Sequence, residues 1–558
     1  ILITLRRRRD GGMDGNLQFS TVQSNRIAGY TPSGRIGIRT GRWTLTASGS
    51  GSFTPVAESR FTETREQAGQ PLPFAGRSDS KSRTNYGRGH FSAVFDPTPK
   101  HTAGFDIEYT EQTQSDSRYR QHMDGNTLTA TANYIWKIDT LGSQFKLIAD
   151  YTRYTSDGDN SYHTTTCAPG TLRDSLYESA TGSVYDILTA DAGLTRKLPH
   201  GLTLRAGLRY TRNDMADKSR YAAQTQGTWL ALPEYSYDQH YTEQIGAAYA
   251  SLEYSAGRWE LSAGLRGEYT SVASQAFGRS YFGLFPNVSV SRALNALRTW
   301  LLVAQWSRNI ERPAFPALNP ARIRISDYSW QSGNPSLRPT YIHRFSLTAV
   351  WKYRYTLTVG GNLHHDLIRE IAHRDATAPD AVYIRPENHY TENHWFVPAK
   401  ITRWWNLSVN AVGVMQRIRL NSTDSPATHY LMFADATCSF TLPAGFFAEA
   451  AYRAQSRLYS GNSEVGPRHT LSATVKKQLF DKRLTLFCTL SNITGCDWEF
   501  ASLTDGMRRT IDTRQAWSGR LWKVGAAWNF RTGKKFRART VESAAETQRK
   551  RLVKSTEQ

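Results

Sequence analysis

The residues of this 558-residue chain best suited to hold a metal or move a proton are four histidines beside two glutamates. They are His364-His365 and His389 with His394, near Glu387 and Glu392. A metal ion needs side chains that converge on it with defined geometry and a supporting outer shell. His364 and His365 are adjacent in a segment that alternates like a strand, so they point to opposite faces, and ordinary polar side chains are expected there. Carboxylates such as Asp106, Glu108 and Glu268 fall on polar strand faces, as do Arg205, Arg209 and Arg266. A charged wall accounts for them more simply than an acid–base pair. The chain has no G-x-S-x-G, phosphate-binding loop, H-E-x-x-H or dinucleotide fingerprint. Neither an enzyme nor a cofactor is expected; an enzyme would need a nucleophile and a base on one strand face.

Cys167, Cys438, Cys488 and Cys496 form no C-x-x-C pair. Cys438 and Cys488 fall within alternating segments, as small apolar residues do. Cys167 and Cys496 fall in loops assigned to the same side, where pairing is an open question. Basic residues number 69 against 48 acidic ones, a formal charge of +21. They are spread along the chain, with clusters only at Arg6 to Arg9 and from Arg531 onward. Nucleic-acid binding is not expected from so even a distribution; attraction to anionic lipid is the simpler account.

The dominant pattern has period two. Leu202, Leu204, Ala206, Leu208 and Tyr210 alternate with Thr203, Arg205, Gly207, Arg209 and Thr211. Trp259, Leu261, Ala263, Leu265, Gly267 and Tyr269 alternate with Glu260, Ser262, Gly264, Arg266, Glu268 and Thr270. Each such strand has one apolar and one polar face. No apolar run approaches the roughly 18 residues of a membrane helix. The alternating segments run about 10 to 14 residues, long enough to cross a bilayer when tilted. Tyr109, Tyr210, Trp259, Tyr269 and Trp351 fall near strand ends, where interfacial aromatic girdles lie.

Connections alternate between tight and long. Tight turns fall at Gly41-Arg42, Asp96 to Lys100, Thr140 to Gly142, Pro199 to Gly201, Gly257, Asn295, Tyr353-Arg354, Arg403 to Trp405, Pro443 to Gly445 and Asp481-Lys482. Longer polar loops are expected at 54–86, 113–125, 155–182, 214–240, 309–339, 371–388, 457–466 and 495–516, with shorter ones near 272–278 and 421–426. The fold class predicted is all-β: a transmembrane antiparallel β-barrel of about 22 strands with short periplasmic turns and long extracellular loops. The first strand is placed at 15–24, the second at 34–40 and the last at 517–530. An even count lets the first strand pair with the last, and closure is compulsory because unpaired amides in lipid cost several kcal/mol each. The last strand carries Trp522, Val524, Ala526, Trp528 and Phe530 on one face, as a barrel-assembly signal would. Beyond it, 531–558 reads as a basic periplasmic tail, unstructured or forming a weakly held helix from Val541 to Leu552.

Loop 309–339 contains Arg312-Pro313, Leu318-Asn319-Pro320, Asp327 and Gly333-Asn334-Pro335-Ser336-Leu337-Arg338-Pro339, leading into a strand at Tyr341. This combination resembles the barrels of TonB-dependent receptors, with Ala321 departing from the larger residue expected after Asn-Pro. Ser491-Asn492-Ile493-Thr494 resembles a degenerate family element in the penultimate strand. Ile1 to Leu5, followed by Arg6 to Arg9, looks like the last strand of a plug domain. The resemblance divides the chain into 1–13, a plug remnant and linker; 14–530, the barrel; and 531–558, the tail. It implies a Gram-negative outer membrane, contact with lipid and lipopolysaccharide, and a TonB complex reached through a part preceding Ile1. It also implies uptake of an extracellular nutrient ligand such as a siderophore, glycan or peptide, with a surface lipoprotein as a candidate partner. A passive, porin-like or structural barrel is the alternative. Gly333 and Asn334 are expected to supply positive φ, and Pro335 and Pro339 to fix the chain as it re-enters the sheet. Trp229, Tyr235, Tyr237 and Trp330 offer stacking surfaces for a ligand, or pack the loops against each other.

Overall fold

A computed structural model describes residues 11–116, 121–168, 171–275, 278–320, 322–326, 328–375, 381–402, 407–420, 425–533 and 541–552. Among them, 22 antiparallel strands form a closed barrel, 79% of the chain is strand, and no helix is long and apolar enough to cross a membrane. The barrel closes where Gly12–Gln23 pairs with Leu521–Gly533, in register from Gly12 opposite Gly533 to Gln23 opposite Trp522. The first and last strands therefore begin and end slightly outside the 14–530 limits read from the sequence.

The period-two pattern translates directly into the barrel wall. In the strand Leu202–Thr225, Leu204, Leu208 and Tyr210 are exposed on the outer surface, whereas Thr203, Thr211 and Asn213 are buried toward the interior. The outer surface continues as an apolar band through Leu17, Phe105, Leu147, Leu265, Leu347 and Trp528. Exposed leucines in such numbers are tolerable only where lipid is the solvent. Inward-facing charges pair across neighbouring strands: Arg209 Nε lies 2.8 Å from Asp191, and Arg205 bonds Glu253.

Nine of the ten tight turns fall between consecutive strands as expected, several of them built on left-handed residues. Gly41 has φ +56°, and the Pro199–Gly201 turn places His200 at φ +60° and Gly201 at φ +76°. The tenth, Arg403 to Trp405, lies outside the described residues, as do Ile1 to Leu5, Arg6 to Arg9, Ala321 and Asp327.

The long connections correct the sequence reading. Loops 54–86, 113–125, 155–182 and 214–240 are largely strand, and the strands reach 25 residues in Gln144–Ala168 and 27 in Thr171–Lys197. Away from lipid both faces of a hairpin can be polar, so backbone pairing continues after the alternation of hydrophobicity has ended. The hairpin ends also pair with each other. Met507–Arg514 adds to Trp43–Gln67, and Ser463–Val465 to Trp498–Thr504, extending the wall above the barrel proper.

Two further corrections concern local elements. The penultimate strand ends at Ser491, and Asn492 follows it at φ +54°, its Nδ2 donating to the carbonyls of Trp517 at 2.8 Å and Gly519 at 3.2 Å. Cys438 and Cys488 lie in strands, and Cys496 is a free thiol donating to Ser518 O; the side chain of Cys167 lies outside the description. Residues 541–552 of the tail lie along the inner wall, with short helical turns at Glu546–Arg549 and Lys550–Leu552. Val541 lies against Gly104, Ala544 N donates to Asp150 Oδ2 at 2.7 Å, and Leu552 is buried, all against inward-facing strand residues. Its mix of Ala, Glu and Gln gives no apolar stripe from which this docking could have been read.

Candidate functional site in the barrel mouth

The two ends of the 312–339 segment pack inside the barrel mouth, while its strands Arg322–Ser326 and Ser329–Ser332 pair with each other and the second runs parallel to the start of Val382–Thr402. Phe315–Leu318 forms one short helical turn whose Phe315, Ala317 and Leu318 are buried. They join Leu337 and the inward-facing Tyr185, Ile187, Met215, Tyr241 and Val272 in one apolar cluster. A barrel interior that is polar along most of its height thus carries an apolar patch on one side of the wall.

Arg312 is the electrostatic centre of this region. Its Nη2 lies 2.7 Å from Glu268 Oε2 and 2.9 Å from Thr270 Oγ1, and its Nε 3.9 Å from Glu243. Arg266 bonds the other oxygen of Glu268 at 2.5 Å. With Glu243, Glu268 and Arg312 all nearly inaccessible, the charges stay ionised only by pairing. Glu243 was not singled out from the sequence; it looks like any other polar residue of an alternating strand.

Gly333 has a different role from the expected one. Neither it nor Asn334 has a positive φ. A Cβ on Gly333 would lie 2.1 Å from Asn319 O and 2.8 Å from Ala317 O, so glycine is required for the two motif segments to touch. Asn334 then fastens the contact: its N donates to Ala317 O at 2.7 Å, and its Nδ2 to Pro386 O at 3.1 Å. Asn319 also bonds the Tyr237 side chain. Pro313 offers its carbonyl to Arg551, and Pro339 is buried at the start of Thr340–Trp351. Pro320 and Pro335 are half-buried beside them. Arg338 reaches Asp366 at 2.6 Å, where Asp366 adopts φ +57°, and Asn388 bridges both residues.

Three of the four loop aromatics come near this structure. Arg322 lies 5.4 Å from the Tyr235 ring and 5.7 Å from the Trp330 ring. Trp330 stacks on Tyr383 at 5.8 Å, and Tyr383 on His373 at 5.0 Å. The result is a ladder of rings and a guanidinium, of which Arg322, Tyr383 and His373 were missed in the sequence because they come from separate hairpins. Tyr237 packs against the motif, and Trp229 is left exposed on the Thr228–Ala231 hairpin.

The adjacent histidines divide as strand geometry requires, with His364 buried and His365 exposed. His364, His389 and His394 gather around the buried Glu392, which Arg369 and Gln416 also bond at 3.0 and 2.8 Å. No group of three or more His, Cys, Asp or Glu among the described residues could hold a metal ion. An apolar depression of about 930 Å³ lined chiefly by Ala190, Ala192, Leu208, Ala248, Leu265 and Phe282 lies on the outer wall, and belongs to the lipid-facing surface.

The barrel architecture recurs in solved structures. The copper transporter OprC superposes with a TM-score of 0.65 at 12% identity, covering 94% of this chain and 81% of that one. A mutant of the ferric enterobactin receptor PfeA from Pseudomonas aeruginosa, in complex with enterobactin, gives 0.59 at 13%, covering 93% and 81%. The siderophore receptor PirA from Pseudomonas aeruginosa gives 0.59 at 12%, covering 94% and 82%. At such identities the likeness is one of fold. Among curated proteins, none matches the chain. The model of the outer membrane protein beta-barrel family matches residues 136–528. With a closed barrel, a lipid-facing apolar band and that match, the chain is an integral outer-membrane protein and belongs to the outer membrane protein β-barrel family.

Proposed function

We propose that this chain is the barrel of an outer-membrane receptor that takes up a scarce nutrient ligand with energy supplied through TonB. The observation that carries the reading is the packing of Arg312, Phe315–Leu318 and Leu337 inside the barrel mouth, with Arg312 held in a buried ion pair. An ordered segment in the mouth presents a built surface on which a receptor can hold its ligand. A barrel of about 22 strands is wide enough that an open lumen would leak solutes. The ring ladder Tyr235–Arg322–Trp330–Tyr383 supplies flat apolar surfaces beside a cation. That chemistry suits a ligand with delocalised or sugar rings, and among proteins of similar fold PirA is a siderophore receptor. Trp229 and Tyr237 act at its margins. Lipid and lipopolysaccharide surround the wall, the TonB complex and a surface lipoprotein are the expected partners, and no catalytic step is proposed.

The test is growth and uptake by cells whose only copy of the gene is the natural one, with and without TonB. Uptake of the scarce nutrient should disappear in both the TonB-deficient strain and the receptor-deficient strain. Equal uptake without TonB would leave the passive pore standing.

A further inference from the structure

The tail of a basic protein gains most by staying in water, yet residues 541–552 climb the inner wall. Lys146 bonds Glu542, Asp150 accepts Ala544 N at 2.7 Å, and Asn213 Nδ2 donates to Gln548 at 3.3 Å. At the top, Arg551 sits in a socket. Its Nη1 lies 2.5 Å from Glu243 Oε2 and 2.8 Å from Gln548 Oε1, its Nε donates to Pro313 O at 3.0 Å, and its guanidinium lies 4.2 Å from the Phe315 ring. Leu552 enters the apolar cluster with Phe315, Leu318 and Leu337.

We propose that the lumen groove between Glu243 and the Phe315–Leu318 turn is a peptide-binding site for an arginine followed by an aliphatic residue, with the chain's own C-terminal segment as its tethered occupant. Two kinds of contact divide the work. Asp150 grips a backbone amide, which any peptide offers. The Glu243–Pro313–Phe315 socket demands a planar guanidinium that can donate at two edges and stack on a ring at once, which a lysine ammonium cannot do. Glu243 is available for it because Arg312 spends its closest contact on Glu268 and stays 3.9 Å from Glu243. Without Arg551 the groove presents a buried carboxylate beside a leucine-sized apolar hole, an incomplete arrangement that a matching peptide would complete. Because the socket is built partly from the Arg312–Pro339 segment, the occupant also pins that segment inside the mouth. The inference requires the closed barrel, and does not depend on coupling to TonB.

The test compares the full chain with a variant ending at Gly533, both refolded and placed in planar lipid bilayers. A synthetic amide-capped peptide of residues 541–552 serves as the probe. The shortened barrel should conduct more than the full chain, and micromolar peptide should reduce it to the full-chain level while leaving the full chain unchanged. The same peptide carrying Arg551→Ala should block about tenfold more weakly or worse, the effect of losing one charge-assisted contact. Equal conductance of the two barrels, no block by the peptide, or equal block by the Arg551→Ala peptide would each overturn the proposal. Should the shortened barrel fail to fold, the full chain carrying Asn213→Cys and Gln548→Cys, with its four native cysteines replaced by serine, decides the tail's position. A disulfide on mild oxidation supports a lumen-bound tail, and its failure to form overturns it.

Discussion

Asn16 donates from Nδ2 to Asn529 Oδ1 at 2.8 Å, joining the first strand of the barrel to the last on their inner faces. Directly opposite residues in antiparallel strands share a face, so the same register brings Leu17 and Trp528 together on the lipid side. Asn16→Cys with Asn529→Cys, in a background without the native cysteines, should form an intrachain disulfide on mild oxidation. Asn16→Cys with Gly525→Cys, out of register, should not. Oxidation of the second pair and not the first would mean a different closure.

Gly333→Ala should destabilise the mouth. Its added carbon meets two carbonyl oxygens of the backbone, which cannot swing aside like a flexible side chain. A cost of about 1–3 kcal/mol is expected for forced overpacking. The readout is a lower temperature for conversion of the compact SDS-gel band to the unfolded one, with faster protease cleavage within 312–339. Gly413→Ala, whose Cβ would meet nothing within 4 Å, serves as the control and should be close to neutral.

Arg312→Ala removes a cation from between two buried carboxylates. Breaking a buried pair in this way typically costs about 3–5 kcal/mol. Urea unfolding in detergent should show that loss, and Arg312→Ala with Glu268→Gln should recover part of it by removing the stranded charge. A single variant as stable as the parent would show that water reaches the network and screens it.

The Asp139 turn should respond to pH. Asp139 Oδ1 accepts the amides of Leu141, Gly142 and Ser143 at 2.9, 3.1 and 2.9 Å, and the hydrogen bond from the Ser143 side chain, with these amides after it, holds its carboxyl below the usual range. A depressed carboxylate stabilises the fold above its unfolded pKa, and that contribution disappears as pH falls through the folded one. Exchange of the three amides should therefore speed up, relative to neighbouring strand amides, when Asp139 protonates. Asp139→Asn should remove the pH step. Persistence of the step in that variant would assign it to another group.

Strand number, closure and nearly every tight turn were legible in the sequence because lipid imposes alternation on the residues it touches. The hairpin extensions were not. Ser156 opposite Ser183 and Asp157 opposite Gly182 pair as well as any barrel residues, but their faces carry no contrast in polarity. The motif at 312–339 was legible as a unit, and its mechanism was mistaken at Gly333, where close approach and not backbone handedness selects glycine. The ring ladder and the Glu243 socket depend on residues far apart in the chain. Nothing local in Arg322, Tyr383 or Arg551 distinguishes them from other polar or aromatic residues.

The most direct test of a membrane-crossing barrel with long hairpins outside and short turns inside is labelling of intact cells. Asp159 lies on the long Gln144–Ala168 hairpin, and His200 in the tight Pro199–Gly201 turn. With the native cysteines replaced, a membrane-impermeant maleimide should label Asp159→Cys and spare His200→Cys, and both should be labelled once the outer membrane is opened. Labelling of His200→Cys alone in intact cells, or of both equally, would contradict the topology.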